Sequence, residues 1–408
     1  MNKEHSMSCH TDILHDPTHA FMPYPATQVP HAGTGPLSGL SFAVKDLFHV
    51  DGYPTSGGQP LMLALSGVMD RTAPTVQRLL DAGARFAGKT ITDELAFSMN
   101  GQNAHFGSPI NGAAPDRITG GSSSGSASAV SNGMCDFALG TDTGGSVRAP
   151  ASHCGLVGLR PTHGRISLQD VLDLAPSFDT CGWFARDVPT FARVADVLLG
   201  ADGSGKIASH RLLLPSDIWA LATPAAVKAL WPARRLVEKV LGKPRFIRAV
   251  LDDSDSMYWS FRYLQGREAW GIRGGFIQRF APVLGSGVAE RFAWSAQVTD
   301  EQVAKAAQFR ERYGTFLADV LGDDGVLVLP TMPDIAPRVD EAEQSLEDYR
   351  NRAICMLCVS GLSGFPQLSL PLTRRLSAPL GISLLGAPGS DRALVSIAEA
   401  IWACQTQS

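Results

Sequence analysis

Two serines set among glycines carry most of the chemistry legible in this sequence. Ser122 lies in Gly120-Gly121-Ser122-Ser123-Ser124-Gly125, and Ser146 closes Gly140-Thr141-Asp142-Thr143-Gly144-Gly145-Ser146. The residues between them are small, Ala127, Ala129 and Gly133 among them. Such residues let backbone approach backbone, or backbone approach a ligand. A hydroxyl flanked by free main-chain N–H groups suits nucleophilic attack with an oxyanion held nearby. The hydroxyl needs a base at neutral pH, and no His–Asp pair stands out. Lys45, inside the apolar run Leu40 to Phe48, is the substitute. A lysine in such a run either ends a strand with its ammonium in water or is a buried amine, and burial lowers its pKa towards that of a useful base. Lys45, Ser122 and Ser146 would then form a proton relay.

Other readings of the glycine clusters fit less well. No G-x-x-x-x-G-K-[ST] occurs, and no G-x-G-x-x-G follows a clear strand with an acidic residue at the right distance. Gly121 to Gly125 formally matches the G-x-S-x-G elbow, but Pro115 to Thr119 is a poor strand to precede it. The histidines left downstream are His153, His163 and His210. Tight packing without chemistry is the bland alternative.

With these residues in view, the chain resembles the amidase signature family, whose catalytic set is a lysine, a serine in a cis peptide and a nucleophilic serine. The resemblance is strong from Leu40 to about Asp187 and looser from Gly325 to Leu385. It puts the lysine at Lys45 in Ala43-Val44-Lys45-Asp46, the bridging serine at Ser122, and the nucleophile at Ser146, 24 residues later. It implies an oxyanion hole from the N–H groups of Thr143, Gly144, Gly145 and Ser146, with Asp142 and Arg148 bracing the loop. It also implies that Ala96, Phe97, Ser98, Met99 and Asn100 border the acyl pocket. Ser124 stands where the family often has glycine, away from the catalytic positions. Asn100 to Gly107, Ser177 to Thr180 and Gly182 to Asp187 are similar to plant-type indole-3-acetamide hydrolases and their bacterial relatives. The fold implied is α/β, a mixed central sheet flanked by helices on both sides. The activity implied is hydrolysis of a small carboxamide, such as an aryl or arylalkyl amide, without metal or cofactor. Alternatives are an amidase or esterase for another aryl amide, hydrazide or xenobiotic, the glutamine-amidase subunit of a tRNA-dependent amidotransferase, and a non-enzymatic amidase-like binding module.

The elements needed to position these residues can be read in outline. The run from Leu40 to Phe48 is apolar on both faces, as a central α/β strand is. A helix over 75–83, a strand over 84–88 and a short helix over 92–99, with Thr92 as N-cap, follow. Residues 124–134 read as a small-residue helix, 137–139 as a strand, and 155–161 as a strand and turn. Pro150 is expected to end whatever follows Ser146. A helix closes 184–199. From about 200 to 324 helical patterns dominate and aromatics concentrate, Phe261, Trp270 and Trp294 among them. This stretch is expected to be a variable part covering the site, its aromatics in the core or lining the pocket. Strands follow at 326–330, 364–371 and 380–385, and a helix at 392–404. Residues 1–38 read as an irregular lead-in to a single domain spanning 1–408.

Composition excludes several classes. The chain has 408 residues, 44% hydrophobic and 18% charged, with a net charge of −4 and no basic block. That argues against a nucleic-acid partner. No run reaches membrane-spanning length and residues 1–20 lack an apolar signal core, so a cytoplasmic protein is expected. Seven irregularly spaced cysteines suggest free thiols in a reducing compartment. Cys355 and Cys358 form C-x-x-C in apolar surroundings and read as the core face of a helix; His153 and Cys154 lack a second pair to make a zinc site. The head of the chain, with His5, His10, His15 and His19, reads as a mobile tail. The partner expected is a small-molecule amide, and a homodimer is the assembly to test.

Overall fold

The apolar run that holds Lys45 becomes β1 (Ser41–Lys45), buried along its whole length. It belongs to a computed structural model that describes residues 16–201 and 210–406. In chain order there follow α1 (Pro60–Ser66), α2 (Pro74–Asp81), β2 (Arg85–Thr90), α3 (Ser124–Ser131), β3 (Phe137–Thr141), α4 (Arg148–Cys154), β4 (Val157–Arg160), β5 (Cys181–Ala185), α5 (Val188–Leu198), β6 (Arg211–Pro215), α6 (Ser216–Trp219), α7 (Pro224–Leu241) and β7 (Arg245–Ile247). Then come α8 (Ser254–Phe280), α9 (Val288–Ser295), α10 (Asp300–Leu321), β8 (Gly325–Pro330), α11 (Glu343–Ser363), β9 (Gln367–Arg375), β10 (Ala378–Leu385) and α12 (Asp391–Thr406). The histidines at 5, 10 and 15, and Cys9, lie outside the described residues.

All ten strands form one mixed sheet in the order β2-β1-β3-β5-β4-β9-β10-β8-β6-β7. Its two wings are parallel: β2-β1-β3 on one side and β8-β6-β7 on the other. The middle is antiparallel. This is the α/β mixed sheet that the sequence implied.

Side chains alternate across β1, and that alternation sorts the two faces. Phe42 and Val44 join the large apolar core with residues of α2, α5, α7 and α12. Ala43 joins a smaller core with Ala127 and Ala129 of α3 and Ala151 of α4. The small residues between the two serines are therefore needed where α3 lies close to the sheet. A Cβ on Gly125 would sit 2.3 Å from Ala20 O and 2.5 Å from Ile91 N, and one on Gly140 would sit 2.7 Å from Ser123 Oγ.

Several local expectations fail for identifiable reasons. No helix forms over 92–99. The segment makes only a 3-10 turn, Glu94–Ala96, with Leu95 at φ 51° and Ala96 at φ 58°. Thr92 does not cap it; its hydroxyl donates to Ser122 O at 3.0 Å. Left-handed backbone at non-glycine residues costs about 1–3 kcal/mol each. Here it is held by Leu95 N to Gly57 O (2.8 Å), Ala96 N to Asp93 O (2.9 Å) and Asn103 Nδ2 to Thr92 O (2.8 Å). Pro150 does not stop the chain but lies in the first turn of α4, where the missing N–H has no helical acceptor to lose. Strands β5, β6 and β7 went unread; the latter two are short and lie in a stretch whose long helices dominate the pattern. The Cys355/Cys358 pair lies on α11 with Cys358 buried, its thiol directed to Cys355 O at 3.3 Å.

Candidate active site

Three elements bring the predicted residues together. β1 ends at Lys45, the loop before α3 holds Ser122, and the turn between β3 and α4 holds Ser146. Lys45 Nζ lies 2.8 Å from Ser122 Oγ and 2.8 Å from Thr141 Oγ1, fully buried on the small-residue face of the sheet. Of the two readings of Lys45, the buried amine holds: it closes the strand, but its head stays out of water. Burial drives its pKa down to about 7, against the weaker opposing pull of Asp93, Asp179 and Asp142. Thr141 is the partner that sequence reasoning did not single out, although it sits in the second glycine cluster.

The Gly121–Ser122 peptide is cis. Its loop is gripped from several sides: Gly121 N donates to Met99 O at 2.9 Å, and Ser122 O accepts from Asp93 N at 3.0 Å. Gly121 must be glycine, since a Cβ there would lie 2.3 Å from Asp93 Oδ2. The loop also ties to the second cluster through Ser123 N to Ser146 O at 3.3 Å. Among the described residues no hydrogen bond joins Ser122 Oγ to Ser146 Oγ, so Lys45 is bonded to Ser122 while the two serine hydroxyls are not bonded to each other.

Asp142 organises the Ser146 turn. Its carboxylate accepts from Gly145 N (2.9 Å), Val147 N (3.0 Å), Arg148 Nε (3.0 Å) and Nη2 (2.8 Å), and Arg160 Nη1 (3.1 Å). Burial alone would raise its pKa, but the Arg148 and Arg160 guanidiniums hold it well below the usual carboxylate range. Arg148 is anchored in turn on Leu357 O (2.8 Å) and Gln367 Oε1 (2.7 Å). Asp142 and Arg148 brace the loop as the resemblance implied. The same geometry bears on the oxyanion hole. Gly145 N–H already points at Asp142, so it is spoken for in this arrangement. The N–H groups of Thr143, Gly144 and Ser146 have no protein acceptor among the described residues. Gly145 instead matters for space and backbone: its φ is 128°, and a Cβ would meet Leu357 Cδ1 at 2.4 Å.

A narrow cleft, open to solvent, lies over Ser146. Ala96, Phe97, Ser98 and Met99 line it, joined by Gly144, Phe261, Gln265, Arg350 and Ile354. Asn100 does not line it. The chain turns away at Gly101 (φ 78°), whose N donates to Asp93 Oδ2 at 2.9 Å. Phe261 belongs to the aromatic concentration already noted; Gln265, Arg350 and Ile354 gave no local signal, because α8 and α11 reach the site from over a hundred residues downstream. The serine-elbow reading fails here: His153 Nε2 lies 2.9 Å from Tyr349 Oη, which itself donates to Asp334 O, and makes no contact with either serine.

The chain is similar to known proteins along most of its length. The sequence profile of the family described as Amidase matches residues 19–211. The chain is 38% identical over 394 residues to Amidase 1 of Arabidopsis thaliana, covering 90% of this chain and 93% of that protein. It is 32% identical over 403 residues to the chloroplastic outer envelope protein 64 of the same plant, covering 93% of this chain and 68% of that one. Among solved structures, one described as an amidase superposes with a TM-score of 0.80 at 29% identity, over 91% of this chain and 85% of that chain.

Proposed function

The chain belongs to the amidase signature family of hydrolases, and on that premise we propose that it cleaves a small carboxamide through an acyl-enzyme on Ser146. Lys45 is the base, Ser122 the proton shuttle and Ser146 the nucleophile. The observation that carries this is the buried Lys45 Nζ at 2.8 Å from Ser122 Oγ. Once neutral, the amine keeps two N–H donors and one lone pair. It can stay bonded to Thr141 Oγ1 while the lone pair accepts the Ser122 proton. Ser122 takes the Ser146 proton as Ser146 Oγ attacks the carbonyl carbon. The amides of Thr143, Gly144 and Ser146 receive the developing oxyanion. The proton returns through Ser122 to the leaving nitrogen, which departs as ammonia or an amine. Water then attacks the ester by the same relay, releasing the carboxylic acid. In this reading the leg between the serines closes when Ser146 Oγ hydrogen-bonds to Ser122 Oγ with substrate in the cleft.

The substrate class proposed is an aryl or arylalkyl amide such as indole-3-acetamide. The likeness to plant Amidase 1 and the apolar walls at Phe97, Met99, Phe261 and Ile354 support it. In this reading the stretch from about 200 to 324 caps the single domain and helps set its substrate. Trapping with a panel of amides tests the proposal: a mass increment on Ser146 matching the acyl group is expected, and its absence from wild-type protein that turns those amides over would overturn it.

A further inference from the structure

Arg350 is the one charged side chain in the wall of the cleft, and it does not stand alone. Arg262 follows Phe261 on α8, and Arg291 on α9 donates through Nε to the carbonyl of Phe97 at 2.6 Å. Arg262 and Arg350 are buried and Arg291 is partly buried; burial, with the opposing charge of Arg350 beside it, pushes Arg262 down to about 10 and Arg291 to about 9. The carboxylate that pairs with the group is Glu347, which accepts from Arg350 Nη1 at 2.6 Å and is half exposed. Asp93 attracts Arg291 more weakly. Arg262 has aromatic neighbours, its guanidinium lying 4.9 Å from the Trp294 ring centre and 5.8 Å from that of Tyr258. Its buried Nη1 nevertheless has no hydrogen-bond partner among the described residues.

A buried guanidinium donor is costly to leave unpaired, and positive charges do not gather out of water without an anion to hold. Arg also favours planar two-point recognition of carboxylates. We infer that this arginine cluster is a subsite for an anionic group of the substrate, so that the amide hydrolysed carries a carboxylate remote from its scissile carbonyl. The amide carbonyl would lie at Ser146 and the carboxylate at Arg350, two walls of one cleft. This rests on the reading of Ser146 as the nucleophile, and it narrows the substrate from an arylalkyl amide to an acidic one.

Two matched amides test it: 4-carboxyphenylacetamide and its neutral isostere 4-methylphenylacetamide. Wild-type protein should favour the acidic amide by about 10-fold or more in kcat/KM, the range expected of a hydrogen bond to a charged group. Arg350→Gln should bring the ratio close to one, with the loss mainly in the acidic substrate; Arg262→Gln should reduce it less. Equal turnover of the two amides by wild type, or an unchanged ratio in a folded Arg350→Gln protein, would overturn the inference. A binding arm separates it from the catalytic reading. Calorimetric titration of both amides into Ser146→Ala should show the same preference of about 10-fold in Kd. A preference there with no turnover by wild type would uphold the subsite and sink the amidase reading. Equal or undetectable affinity for the acidic amide would sink the subsite whatever the turnover.

Discussion

Two buried lysines sit at one corner of the sheet and do opposite things. Lys45 ends β1 and Lys89 lies on its parallel neighbour β2, where Lys89 pairs in register with Val44 and Thr90 with Lys45. The two side chains therefore point to opposite faces. Lys89 faces a carboxylate and main-chain acceptors: its Nζ is 2.9 Å from Asp46 Oδ1 and donates to Phe48 O (2.7 Å), Pro54 O (3.0 Å) and Thr55 Oγ1 (2.9 Å). Lys45 faces hydroxyls, and no carboxylate forms an ion pair with it among the described residues. Burial lowers the pKa of both, but Asp46 works against it at Lys89. An ammonium with a carboxylate beside it keeps its proton and ties down chain. An amine with only hydroxyls beside it can give the proton up. Burial favours the neutral form at both lysines, and a carboxylate in contact offsets it at Lys89 alone.

That contrast can be broken by experiment. The largest effect expected is on turnover in Lys45→Ala, where kcat should fall about 10³- to 10⁴-fold. The urea midpoint should move far less than in the Lys89 variant, and near wild-type kcat would end the case for Lys45 as base. Lys89→Ala should lose about 3–5 kcal/mol of folding stability, since Asp46 is left buried without its cation. Urea unfolding measures this, and a loss below about 1 kcal/mol would mean the pair is not structural in the sense argued. The pH profile comes next. The working base must be neutral, and with Lys45 at about 7 its neutral fraction drops tenfold for each pH unit further into acid. The profile of kcat/KM should therefore have an acid limb of unit slope bending near neutrality, and a flat limb would remove Lys45 from the rate. The smallest effect is expected for Thr141→Val, which takes one of two hydroxyl partners from Nζ and should cost about tenfold in kcat. A change in stability without a change in kcat would make Thr141 merely a packing residue.

The half of the molecule that holds the two serines was legible because its constraints are local. A turn such as 142–148 folds back on Asp142 only with glycine at 145, and α3 approaches the sheet only with small residues, so the serines announced themselves by their neighbours. The recognition half was not. The aromatic run hinted at Phe261, but Gln265, Arg350 and Ile354 come to the cleft from α8 and α11, and nothing near them in the chain marks them out. The turn at Glu94–Ala96 was misread for a related reason. Its residues suit a helix, and hydrogen bonds to the carbonyls of Gly57 and Asp93 and from the Asn103 amide hold it in another form.

By itself, then, the amino-acid sequence determined the α/β sheet, the two serine loops and a lysine 77 residues before the first of them. Periodicity and backbone permissiveness are properties of neighbouring residues, and they survive in a string of letters. The tertiary structure decided that Lys45 meets Ser122 without a carboxylate at its side, and that a second buried lysine, Lys89, meets Asp46. That choice depends on which face of β1 and β2 each side chain takes and on what packs there. It also decided that Gly145 spends its N–H on Asp142, and that Arg350 of α11 joins Phe97 and Ser146 in the wall of one cleft. Electrostatic environment is set by residues brought together through folding, and the spacing of one segment contains no record of it.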